Sequence, residues 1–134
     1  MSVGAWEPDR AAAQEKSQEP IDRELLQRYI AAVRADKPLG EVLEPRDMQA
    51  SHLVRLPAQR WLEESEAWDS EQLWQLIRFF TLAEQQLPGW DAGAESAVIP
   101  LARALRRRKT PLDRDQLLWI KEHSDNRYLP YGPL

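Results

Sequence analysis

Three times in this chain an apolar residue precedes an aspartate that is followed, four positions on, by a leucine. The segments are Ile21-Asp22-Arg23-Glu24-Leu25-Leu26, Trp68-Asp69-Ser70-Glu71-Gln72-Leu73 and Leu112-Asp113-Arg114-Asp115-Gln116-Leu117. Each is a helix start. The aspartate carboxylate accepts from a first-turn N–H that has no partner within the helix. The apolar residues on either side close over it as a hydrophobic staple, and Gln72 and Gln116 stand where a capping box needs them. Glu24, Glu71 and Asp115 add negative charge to the first turn, where the helix dipole favours it. No stretch sustains the period-two alternation of β-branched residues that a strand requires, so the expected fold class is all-α.

The apolar periodicity divides the chain further. A first helix runs from Asp22 to Ala35 with Leu25, Leu26, Tyr29, Ile30 and Val33 on one face, and Pro38 and Gly40 end it. A second helical stretch covers Pro45 to Leu56, and Pro57 opens a third that reaches Ala67. The broadest stripe, Leu73, Trp74, Leu76, Ile77, Phe80, Ala83 and Leu87, marks a long helix from Asp69 that Pro88-Gly89 stops. A fifth helix lies within Ser96 to Lys109. A start near Ile99 would put Pro100 at the first helical position, where its missing N–H costs nothing. The last runs from Asp113 to His123. Asp22, Asp69 and Asp113 stand 47 and 44 residues apart, an interval that resembles the repeat length of two-helix solenoid units of the HEAT type. The stretches between do not align, so the expected architecture is a compact bundle of five to six short helices, with HEAT-like helical hairpins as the variant.

At 134 residues there is room for one core. The expected organisation is a flexible N-terminal tail over 1–20, a helical domain over 21–124, and an extended aromatic and proline-containing segment over 125–134. The absence of cysteine removes disulfides, thiolate metal sites and cysteine nucleophiles. No apolar run approaches a membrane span. The opening residues lack the basic and apolar regions of a signal peptide, and the chain is read as cytoplasmic. A net charge of −4 speaks against a general affinity for nucleic acid or anionic lipid.

The residues offer little chemistry. His52 and His123 have no ligand-spaced carboxylates, and no metal or other cofactor is expected. Glu63, Glu64 and Glu66 read as a solvated acidic face. Glu84 would need a partner if buried, with Arg78 as the nearest choice and Thr81 one turn away. Nucleophile elbows and glycine-rich phosphate loops are absent.

Three features remain as candidate contacts. Arg103, Arg106 and Arg107 share the polar face of a helix, and Arg108, Lys109 and Arg114 extend the basic run. Trp90, in a loop after Pro88-Gly89, is the tryptophan most expected to be exposed, and an exposed tryptophan is a good partner anchor. Arg127, Tyr128, Leu129 and Tyr131 load the C-terminal segment with aromatic and apolar groups that must pack on the domain or on another molecule. The expected function is a non-enzymatic protein-interaction or regulatory domain using these residues. The alternatives are a nucleic-acid-associated factor working through 103–114, and a small enzyme or accessory subunit with a pocket around Glu84, Arg78 or Thr81.

Overall fold

The computed structural model describes residues 20–132. All but the last residue of the N-terminal tail lies outside them, as do 133 and 134. The chain is all-helical: α1 Arg23–Arg34, α2 Leu39–Val42, α3 Pro45–Met48, a 3-10 helix Ser51–Arg55, α4 Ala58–Ser65, α5 Ser70–Gln86, a second 3-10 turn Gly93–Glu95, α6 Val98–Arg107 and α7 Arg114–His123. The three aspartates cap as expected. Asp22 accepts from the amides of Glu24 and Leu25 at 3.0 and 3.3 Å. Asp69 and Asp113 each accept from the amide of the glutamine three residues on at 2.8 Å, and each glutamine returns the bond to the aspartate amide.

α5 is the hub. It packs against α1, α2, α6 and α7, while α4 packs against α6. Within the 69–112 interval α5 and α6 pack on each other as a sequential pair, whereas α4–α5 and α6–α7 are not among the extensive contacts, and the helices together form a compact bundle. At its centre Tyr29 stacks on Phe79 with ring centroids 3.9 Å apart. Trp90 stands edge-on to both, at 5.8 and 5.7 Å, and Trp61 meets Phe80 at 5.3 Å.

Those same rings organise the least regular part of the molecule. The expected single helix over Pro45 to Leu56 is instead one α-turn and a 3-10 turn, preceded by the additional short helix α2. Single turns leave carbonyls without ladder partners. Here the polar ends of buried aromatics supply the donors: Tyr29 OH to the Asp47 carbonyl at 2.7 Å, Trp90 Nε1 to that of Met48 at 2.8 Å, and Trp61 Nε1 to that of Leu53 at 3.0 Å. Gln86 Oε1, at the end of α5, accepts from the first amide of α2 at 2.8 Å. The Asp47 carboxylate, 3% exposed as a residue, takes two bonds from the Arg28 guanidinium, both at 3.1 Å.

Trp90 is thus 1% exposed. Its expected exposure is overturned because the tight turn at Pro88-Gly89 directs the indole back into the aromatic cluster, where Met48 satisfies its N–H. Pro100 falls at the third position of α6, not the first as a start near Ile99 would have it. Its amide still needs no hydrogen, since the first ladder bond runs from the Leu101 amide to the Ala97 carbonyl at 3.3 Å.

Burial raises the Tyr29 phenol above its ordinary value, and the negative charge of Asp47 adds to the effect. The folded state therefore holds this proton more tightly than the unfolded chain. The associated stability is intact below about pH 10 and is lost as the pH rises past it. In an alkaline titration followed by phenolate absorbance, Tyr29 should ionise only as the fold opens, and Tyr29→Phe should remove that late step. Complete ionisation of the tyrosines ahead of unfolding would contradict this burial.

At the end of α6, Lys109 adopts a left-handed conformation with φ 64°. The Thr110 amide bonds the Leu105 carbonyl and the Lys109 amide bonds that of Arg106, both at 3.0 Å, which is a Schellman closure with a lysine in the glycine position. Lys109→Gly is expected to raise stability by about 0.5–1 kcal/mol, read as a higher urea midpoint. A lower midpoint would count against the strain.

Candidate functional site

α6 buries Val98, Leu101, Ala102 and Leu105 and turns Arg103, Arg106 and Arg107 outward. Ile99, Arg103 and Arg106 follow the i, i+4, i+7 spacing of one helical stripe, so the arginines continue a line that starts on an apolar residue. Four arginines nearer the start of the chain are matched to acids. Arg23 pairs with Glu64 at 2.9 Å, Arg28 with Asp47 at 3.1 Å, Arg46 with Glu44 at 2.9 Å, and Arg34 with Glu71. Arg103, Arg106, Arg107, Lys109 and Arg114 are exposed, and none has a carboxylate partner among the described residues.

The C-terminal segment, expected to be extended, folds into turns across this helix. Asn126 anchors it. Its amide nitrogen donates to both Glu84 oxygens at 3.1 and 3.2 Å and to the Gly93 carbonyl at 2.9 Å, while its side-chain oxygen accepts from the Tyr128 amide at 3.0 Å. Leu129 is 7% exposed, so it acts in packing and not as a surface contact. Beyond it the Tyr131 carbonyl accepts from Arg103 Nη2 at 2.9 Å, and the Arg106 guanidinium lies 3.8 Å from the Tyr131 ring centroid. Gly132 has φ +89° and passes so near α6 that a Cβ there would come within 3.2 Å of Arg103 Nη2. Arg127 lies over its neighbour Tyr128 at 5.1 Å.

The structure therefore unites most of the expected residues. Arg103, Arg106 and Tyr131 form one contiguous surface, Arg107 extends it, and Tyr128 and Arg127 lie on the strap that leads to it. Besides Leu129, two residues leave the set. Trp90 belongs to the core. Arg108, half-buried, donates to the Trp68 carbonyl at 2.7 Å and to the Ser65 carbonyl, tying α6 to the end of α4. Five residues after Arg103, it falls on a different side of the helix.

The acidic candidates resolve differently from expectation. Glu64 is no free member of a solvated face, because it accepts from Arg23 at 2.9 Å and from Trp68 Nε1 at 3.0 Å. Glu84 is engaged by Asn126 and not by Arg78, which bonds Gln75 at 2.8 Å and lies over Trp119 at 5.2 Å. Thr81 is fully buried with its hydroxyl on the Ile77 carbonyl at 2.7 Å. Glu84, Arg78 and Thr81 do not converge. Among the described residues no group of three or more His, Asp or Glu is placed to hold a metal ion, and no helix is long and apolar enough to cross a membrane.

Beside the Arg103 surface lies a groove of about 440 Å³, with Leu56, Pro57 and Ala58 on one wall and Ile99, Pro100 and Arg103 on the other. Ala94, Glu95 and Ser96, just ahead of α6, also line it. Arg55 also lines it, although its guanidinium is turned to the carbonyls of Gly89 and Asp91. Sequence reasoning missed this groove; the stripe from Ile99 to Arg106 is the one local signal that pointed toward it. A smaller cleft of about 240 Å³ lies between Val33, Lys37, Arg78, Leu82, Trp119 and His123. There His123 Nδ1 meets the Trp119 carbonyl at 2.8 Å and the imidazole stacks on the indole.

Comparison with family models, with curated proteins and with solved structures finds no match to this chain.

Proposed function

We propose that this chain is a non-enzymatic interaction domain that docks an acidic segment of a protein partner on the surface formed by Arg103, Arg106, Arg107 and Tyr131. One observation carries the reading: in a protein of net charge −4, the arginines of α6 have no carboxylate partner among the described residues, whereas those of residues 23–46 are paired. Unmatched guanidiniums on a rigid helix present several donors to carboxylates at little ordering cost. Arg103 and Arg106 are already positioned by a carbonyl and a ring, neither of which neutralises their charge. A cysteine-free chain suits a reducing, cytoplasmic setting.

Stacked aromatic and arginine side chains also suit a single-stranded nucleic acid, and Tyr131 beneath Arg106 gives that alternative its footing. Fluorescence anisotropy with a labelled glutamate-rich peptide, and in parallel with a labelled single-stranded oligonucleotide, separates the two. The peptide is expected to bind at low salt and to weaken at least tenfold in Arg103→Glu/Arg106→Glu/Arg107→Glu. Equal binding by the triple variant, or binding of the oligonucleotide alone, overturns the proposal.

A further inference from the structure

We infer that the groove beside Arg103 is the apolar half of the same docking site, and that the partner segment carries an apolar side chain ahead of its acidic residues. This rests on the proposed function and specifies what the partner must present. The groove and the arginine row are continuous, because Arg103 belongs to both and Ile99, Arg103 and Arg106 lie along one stripe of α6. Its exposed wall is apolar where α4 begins, at Pro57 and Ala58, and it faces Ile99 and Pro100 across a space of about 440 Å³. That volume lies within the range of sites that enclose a bound group.

Charge fixes the order of the features along the helix. Glu95 lines the groove just ahead of the start of α6, so an incoming carboxylate is repelled there and drawn along the helix toward Arg106 and Arg107. A rise of about 1.5 Å per residue puts Arg103 about 6 Å and Arg106 about 10 Å along the axis from Ile99. An extended partner would span that distance in two or three residues. The segment that fits therefore has a leucine-like side chain in the groove and carboxylates two and three residues away. The strap displays the same chemistry in miniature, an oxygen acceptor on Arg103 and an apolar face under Arg106.

Two labelled peptides test this: one with a leucine next to a run of glutamates, and one with serine in place of the leucine. The leucine peptide should bind the intact protein about tenfold more tightly. Ala58→Phe, which fills the groove from an exposed position, should reduce it to the level of the serine peptide while leaving the serine peptide unchanged. Ala94→Phe, at another residue lining the groove, is a second block, should Ala58→Phe fail to fold. Equal affinity of the two peptides for the intact protein, or an undiminished leucine advantage in both filled variants, overturns the inference and leaves the arginine surface standing. If neither peptide binds, the proposed function falls, and the inference falls with it.

Discussion

Trp90→Ala should lower the unfolding free energy by about 4 kcal/mol, among the largest single losses available in this chain. The indole is 1% exposed and touches Tyr29, Phe79 and Phe80, so its removal opens a cavity lined by rings that have rigid positions of their own. It also strands the Met48 carbonyl, which it bonds at 2.8 Å. Trp90→Phe separates the two effects. It keeps most of the ring volume and removes the donor, and should cost about 1–3 kcal/mol. Urea unfolding of the two variants measures both. A loss under about 0.5 kcal/mol for the alanine variant is what a surface anchor would give, and it would refute the buried placement.

The Arg28–Asp47 pair should behave asymmetrically. Arg28 is 40% exposed along its side chain and Asp47 only 4%. Arg28→Ala leaves a carboxylate in the interior with, among the described residues, only the more distant cation Arg46, at 3.9 Å, to face it. The expected cost is about 3 kcal/mol. Asp47→Ala leaves a guanidinium that can turn to water, and should cost about 1–2 kcal/mol through the lost charge-assisted bonds. Equilibrium unfolding of the two variants provides the check. An equal or reversed ranking would mean that the carboxylate reaches solvent, and would weaken the view that Asp47 ties the irregular segment to α1.

What the sequence reveals about this fold depends on how far apart the determining residues are. The starts at Asp22, Asp69 and Asp113 are legible because cap and staple, and for the latter two the box as well, all lie within six consecutive residues. The subdivision of 39–56 is not, because its turns are held by Tyr29, Trp61, Trp90 and Gln86, reached across as many as 47 residues. The burial of Trp90 is hidden for the same reason: Pro88-Gly89 announces a turn but not which way the next side chain faces. On the candidate surface, helical spacing places Arg103 and Arg106 together. The same spacing would have removed Arg108, which contiguity in the basic run obscured. The bond from Asn126 to Glu84, 42 residues apart, leaves no local trace, and neither does the groove that α4 and α6 form together.

The most direct measurement of the central claim is an amide chemical-shift titration of the labelled protein with the leucine–glutamate peptide at low salt. The shifts are expected along residues 99–107 and 128–132 and at the start of α4, and they should fade as salt is added. Shifts centred on the Trp119 cleft, or saturation that leaves α6 undisturbed, would contradict the assignment of this surface as the docking site.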